Sequence, residues 1–266
     1  MLGRRLPEIK TPDQLQAMRR AGSVVARTLA VVRDAVRPGV STAELDRIAA
    51  EVINSAGAEP SFLGYGADRG RQGFPGVICT SVNDEIIHGI PGDRVLQPGD
   101  LISIDCGAMV GGWHGDAAIT VGVGDVAAEL ERLCAATRSA LEAGIGAARL
   151  GGRVGDISAA VEERIDALET EHDRPYGIVT DYVGHGIGTA MHQEPDVPNV
   201  GRRGRGPRIV PGLVLAIEPM ITLGSAANHI TDDDWTVVTD DGRPAAHWEH
   251  TITVTEHGVW VLTAED

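Results

Sequence analysis

Aromatic residues are scarce in this 266-residue chain, only 3% of it, with two Phe, three Tyr and four Trp. Its core must therefore be built from Val, Ile, Leu and Ala. Lysine is nearly absent: Lys10 is the only one, and arginine supplies the remaining positive charge. That bias reads as codon usage rather than mechanism. The three cysteines, Cys79, Cys106 and Cys134, are odd in number and form no CxxC pair. They exclude a disulfide framework and a thiolate zinc site, and imply a reducing compartment, the cytoplasm. No run approaches 18 apolar residues, and MLGRRLPEIK has no apolar h-region, so neither a membrane span nor a signal peptide is expected. Basic charge is also short: 23 Lys and Arg against 38 Asp and Glu leave a net −15. A general DNA or RNA binder would need a basic face.

The hydrophobic share of 42% and charged share of 23% are those of a globular protein. Apolar residues at helical spacing predict a helix over Pro12–Val36, with Thr11 as N-cap and Pro38-Gly39 as its stop. Further helices are predicted from Thr42 to near Gly57, from Val126 to Ala148 and from Asp156 to Glu169. Strand patterns cover Val77–Ser81, Glu85–His88, Asp100–Cys106, Trp113–Val121, Val179–Gly184, Leu213–Met220, Thr236–Val238 and His250–Val254. The order helix, helix, strands occurs twice, and RPGVSTAELDRIAAEVI resembles RLGGRVGDISAAVEERI weakly, as an internal duplication would. No low-complexity linker divides the chain. Residues 1–266 are expected to form one domain, with a short N-terminal extension over about 1–11.

The string ISIDCGAMVGGWHGDAAIT, residues 102–120, places Asp105 and Asp116 in a hairpin, although strand interiors are poor in Asp. With the turn centred on Val110-Gly111, Asp105 faces Asp116 directly. Two ionised carboxylates that close need a raised pKa, a shared proton or a cation. A different turn register would instead leave both facing solvent. Three further stretches weigh against that reading. YVGHGIG sets His185 between glycines, VLAIEPM puts Glu218 in an apolar strand, and HWEHTITV starts a strand with Glu249. Buried carboxylates are costly unless paired or bound to metal. Four acids carry −4, which two divalent cations balance. Oxygen-rich ligation with one imidazole suits Mn, Fe(II) or Co better than a thiolate-type zinc site. Such a pair, about 3.5–4 Å apart, acidifies water and polarises a carbonyl, which is hydrolytic chemistry.

Asp105, Asp116, His185, Glu218 and Glu249, in that order, resemble the five metal ligands of the methionine aminopeptidase family. NDEIIHGIP, IDCGAMVGGWHGDAAIT, GHGIGTAMHQEP, IEPM and EHTITVT are similar to that family's motifs, from about residue 8 to 262. The resemblance implies an α+β "pita-bread" fold: two pseudo-symmetric halves with a curved antiparallel sheet covered by helices. It implies two divalent ions (Co, Mn or Fe(II), with Zn a further candidate) and a monovalent cation held by carbonyls near Asn83. Asp105 would chelate one metal, Asp116 and Glu249 would bridge, and His185 and Glu218 would hold the other. His88 and His192 match the two histidines beside the metals, and Glu218 would also shuttle the proton. The Met side-chain pocket would be lined by Phe62, Tyr65, Cys79, His88, Met191 and Trp235. Phe62 and Met191 depart from many bacterial relatives, which have Cys and Phe there. The loop GYGADRGRQGFPG, residues 64–76, is longer than its bacterial counterpart, which leaves the alignment of Phe74 open.

His192 to Glu218 spans 26 positions, too few for the helical insertion of the type II branch, so type I is implied. The implied activity is removal of initiator Met from nascent chains with a small second residue, by a cytoplasmic monomer. The implied partner is the N-terminal Met of nascent peptides, with neither DNA nor membrane involved. Met1-Leu2 would then be left uncut. The basic run GRRGRGPR, residues 201–208, reads as a solvated loop or as a transient ribosome contact. Two rival readings share these ligands or this fold: an Xaa-Pro peptidase, and a non-catalytic ribosome-associated relative.

Overall fold

The computed structural model describes residues 6–68 and 72–265. Met1-Leu2 and residues 69–71 of the 64–76 loop lie outside the described residues. The helices are α1 (Pro12–Ala35), α2 (Thr42–Ser55), α3 (Ala128–Ala147) and α4 (Val154–His172). The strands are β1 (Glu59–Pro60), β2 (Ile78–Val82), β3 (Glu85–Ile87), β4 (Leu101–Val110), β5 (Trp113–Gly122), β6 (Gly177–Ile178), β7 (Gly184–Gly186) and β8 (Gln193–Val197). They continue with β9 (Val214–Ile217), β10 (Met220–Thr222), β11 (Asn228–Ile230), β12 (Val237–Thr239), β13 (Ala245–His247), β14 (Glu249–Thr255) and β15 (Gly258–Val261).

Among the described residues, nine strands form an antiparallel sheet in the order β1-β4-β5-β14-β9-β7-β8, with β2 on β4 and β15 on β14. Alternation along the strands separates its faces. Ile102, Ile104 and Cys106 of β4 and Ala117 of β5 pack against Val25, Leu29, Leu45 and Ile53 of α1 and α2. Leu215 and Ile217 of β9 and Ile252 of β14 pack against Leu141, Val154 and Ile157 of α3 and α4. One helix pair thus covers each half of the sheet. Asp105 and Asp116 lie on the opposite face.

Local chemistry explains the helix starts. The Thr11 hydroxyl accepts from Gln14 N, the Gln14 side chain accepts from Thr11 N at 2.8 Å, and Pro12 takes the first turn, where its missing N–H is not needed. α1 presses onto β5 and the C-terminal segment through Gly22, where a Cβ would stand 2.0 Å from the Leu262 carbonyl oxygen.

Three strand expectations are corrected. The β4–β5 turn is Gly111-Gly112, with φ of 59° and 81°, and not Val110-Gly111. A two-residue hairpin of this kind needs positive φ at both positions, which β-branched Val110 resists. Asp105 therefore faces Ala118, and Asp116 faces Gly107. The two acids are diagonal neighbours instead of direct partners. They keep the same face because the register moves by two residues, not one. The stretch expected over Leu213–Met220 breaks into β9 and β10, in different sheets, at Glu218-Pro219. Proline has no N–H for the ladder, and the break sets Glu218 at the strand end. Of the strand expected over Val179–Gly184, only its last residue is in β7, and Gly177–Ile178 pair separately as β6.

Candidate active site

Five adjacent strands converge on one point. Asp105 comes from β4, Asp116 from β5, Glu249 from the first position of β14, Glu218 from just past β9, and His185 from β7. Ala118 faces both Asp105 and Glu249, so these two flank it in one row across the sheet. His250 faces Ile217, which puts Glu249 and Glu218 at the next step of the same ladder. Asp116, His185 and Glu249 each offer a ligand atom within 4.8 Å of the others'. His185 Nε2 lies 3.5 Å from Glu218 Oε1 and 4.0 Å from Asp116 Oδ2.

This cluster is costly by itself. Asp105 Oδ1, Asp116 Oδ1 and Glu249 Oε1 are buried without a hydrogen-bond partner. Burial pushes the Asp105 carboxyl up to about 7. Burial and the neighbouring acids push Asp116, Glu218 and Glu249 far above the carboxylate range. Each buried ion without compensation costs several kcal/mol. Burial drives His185 down to about 3, which keeps its imidazole neutral and able to ligate. Orphaned carboxylate oxygens around a neutral imidazole fit divalent cations, and nothing among the described residues supplies the balancing positive charge.

Three more histidines surround the acids. His88 adopts φ 60°, a strained conformation for a non-glycine residue. Its ring meets Tyr182 edge-on at 5.8 Å, and burial and the nearby His192 hold it down to about 4. The His192 ring lies 4.3 Å from that of His185, and its Nδ1 is 2.6 Å from the Tyr65 hydroxyl. The third, His247 on β13, escaped sequence reasoning. It is buried, its Nε2 has no hydrogen-bond partner, and it stands 3.8 Å from Glu218 Oε2. The Ser103 and Thr120 hydroxyls accept from its backbone N–H. Its place two residues before Glu249, as successive same-face positions of an extended chain would have it, was the available signal.

A cavity of about 110 Å³ adjoins the acids, walled by Phe62, Tyr65, Phe74, Cys79, His88 and Trp235. Phe74 meets Phe62 and Trp235 edge-on, at 6.5 and 5.4 Å. Burial pushes the Cys79 thiol up, so it stays a neutral, soft wall. Met191 is not among the lining residues. It is buried behind them in the same apolar cluster, its methyl group against Gly107 and near Phe62. Asn83, also at φ 60°, donates its side-chain amide to Asp100, and its carbonyl accepts from Ala245 N.

Residues 16–256 match metallopeptidase family M24. Methionine aminopeptidase 1 of Mycobacterium tuberculosis is 51% identical over 98% of this chain and 96% of its own length. The methionine aminopeptidase of Clostridium acetobutylicum is 46% identical over 96% of this chain and 98% of its own. The crystal structure of methionine aminopeptidase from Thermotoga maritima superposes with a TM-score of 0.91 at 37% identity, covering 98% of this chain and all of that one. Prolidase from Pyrococcus furiosus, at 19% identity and TM-score 0.74, shares the fold over 66% of its length. The architecture is thus the α+β pita-bread fold. Because the family match runs through every strand that carries an acid of the cluster, the chain belongs to metallopeptidase family M24 and uses divalent metal.

Proposed function

We propose that this protein is a type I methionine aminopeptidase, which removes the initiator Met from nascent chains whose second residue is small. The observation that carries the reading is the convergence of four acids, Asp116 and Glu249 buried and Asp105 and Glu218 mostly so, and His185 on one cavity that is otherwise walled by apolar and aromatic side chains. Relatives named methionine aminopeptidase match over nearly the whole chain, which supports it over an Xaa-Pro peptidase. The non-catalytic alternative is disfavoured by a complete cluster.

Asp105, Asp116, His185, Glu218 and Glu249 would hold two divalent ions, Mn, Fe(II) or Co with Zn also suitable, which acidify water and polarise the scissile carbonyl. The residues themselves divide the remaining work. The apolar wall of Phe62, Tyr65, Phe74, Cys79 and Trp235 receives the thioether side chain and excludes water. His88 contacts the scissile amide. Burial pushes the Tyr65 hydroxyl up and keeps its proton on, and in this reading it donates to His192 Nδ1 and leaves the ring hydrogen on Nε2. His192 Nε2–H then donates to the carbonyl oxygen as negative charge develops there. Glu218 takes a proton from the attacking water and returns it to the leaving amine.

The cytoplasm, where nascent chains emerge, is the proposed compartment. The exposed Arg202, Arg205 and Arg208 are the proposed ribosome contact, while Arg203 is paired with Glu163. The carbonyls near Asn83 are the proposed seat of a monovalent cation.

The deciding experiment strips metal with EDTA, restores Mn or Co, and compares Met-Ala-Ser with Ala-Pro-Ala. Cleavage of Met-Ala-Ser that returns with metal is expected. Faster turnover of Ala-Pro-Ala, or no metal-dependent cleavage of either, would overturn the reading.

A further inference from the structure

The sole lysine of the chain is buried: the Lys10 side chain is 1% exposed. It closes the segment before α1, which crosses the turn between His185 and His192. Lys10 Nζ donates to the Glu8 carbonyl at 2.9 Å and to Gln193 Oε1 at 3.4 Å, and lies 3.6 Å from Glu8 Oε2. The Glu8 carboxylate accepts from Thr189 N at 3.0 Å, from the Thr189 hydroxyl at 2.9 Å and from Gln193 Nε2 at 2.8 Å. Between these contacts the backbone is pressed onto the pair. A Cβ on Gly188 would stand 2.1 Å from Glu8 Oε2 and 2.7 Å from Lys10 Nζ.

The turn is gripped from its other side as well, since Gly188 O accepts from His114 N at 2.9 Å. The segment itself is anchored by Lys10 N donating to Gly212 O at 2.8 Å, just ahead of β9. Burying an ammonium and fixing its long side chain are unfavourable unless its contacts compensate. Apart from that anchor, the side-chain contacts of Glu8 and Lys10 beyond the pair fall on one turn, Gly188–Gln193. His192 lies inside it.

We propose that Lys10 and Glu8 are positioning residues, which lock the 188–193 turn and thereby hold the His192 ring where it meets the substrate carbonyl. The inference rests on the aminopeptidase reading for what His192 does, and on these contacts alone for the locking of the turn.

The test uses the full chain reconstituted with Mn and assayed on Met-Ala-Ser. Lys10→Met and Glu8→Gln are each expected to lower kcat about ten-fold with KM changed less than about two-fold, because a transition-state contact is weakened. In a His192→Ala background the same substitutions should cost nothing further, since Lys10 and Glu8 act through that ring. Amide hydrogen exchange over 188–193 should quicken about ten-fold or more, with α1 and β4 unchanged. A loss of kcat that persists in the His192→Ala background, or exchange over 188–193 equal to wild type, would overturn the inference. If Lys10→Met fails to fold, Glu8→Gln carries the comparison. If wild type leaves Met-Ala-Ser uncut, the assigned activity falls, and the exchange measurement alone decides the locking.

Discussion

The Tyr65 hydroxyl stands 2.6 Å from His192 Nδ1, and a hydrogen bond donated by that hydroxyl would leave the ring hydrogen on Nε2, the nitrogen proposed to meet the substrate. Tyr65→Phe frees the imidazole to take the other tautomer. A loss of about ten-fold in kcat is expected, about 1.4 kcal/mol of transition-state stabilisation, with KM little changed. Tyr65 is 41% exposed, so urea unfolding should shift by less than about 0.5 kcal/mol. Steady-state kinetics showing an unchanged kcat would place His192 outside the chemistry or leave Tyr65 without influence on it.

The acid cluster sets function against stability. Its own burial, and then the neighbouring Glu249 and Asp105, hold the proton on Asp116. Asp116→Asn replaces a group that, without metal, must either hold a proton far above its ordinary range or repel its neighbours, with an amide that does neither. In chelator, the variant should melt several degrees higher than wild type. It should also lose most of the rise in Tm that Mn gives wild type, together with at least about a thousand-fold of kcat/KM. Equal Mn-induced shifts in both proteins would remove Asp116 from the metal site.

Acid sensitivity follows from buried neutral histidines. In the folded chain burial lowers His247 to about 3 and His250 to about 4, against an ordinary value of 6.5. As pH falls, the unfolded chain binds these protons first. Each group's contribution is therefore intact above about pH 6.5 and is lost on the way down to about 3 for His247 and about 4 for His250, by at most about 1.4 kcal/mol per pH unit. The raised carboxylates act with the opposite sign in metal-free protein, so the comparison is between variants in chelator. His247→Gln should lose less stability between pH 7 and pH 4.5 than wild type, read from urea midpoints. An identical loss would assign the acid limb to other groups.

Gly22 has no room for a methyl group. Its Cβ would meet backbone, the Leu262 carbonyl oxygen at 2.0 Å, and not the end of a flexible side chain. Gly22→Ala should destabilise by about 3 kcal/mol or more, despite alanine's better helix propensity. A gain in urea-unfolding stability would show that α1 can shift off β5 at little cost.

Most of the helices were legible because they depend on near neighbours. Thr11 caps and Pro12 starts α1 through contacts three residues apart, and the apolar spacing selects the buried face. The short strands β8, β11 and β13 were not legible, because QEPDV, NHI and AAH carry at most one β-branched residue each, whereas runs of such residues marked the short β3 and β12. β15 and the two-residue β1 pair at the edges of a sheet that only the folded chain defines.

Residue types alone determined that four acids and one histidine lay in apolar surroundings, and hence that a counter-charge was required. Their unfavourable solvation is a property of each short stretch. Only the tertiary structure decided that Glu249 and Asp105 flank Ala118, that the hairpin turns at Gly111-Gly112, and that His247 joins the site. The sole lysine shows the same division. Nothing local to Lys10 distinguishes it from a solvated side chain, because the Gln193 amide and the turn it grips lie 183 positions away in sequence, and their proximity is set by which strands pair.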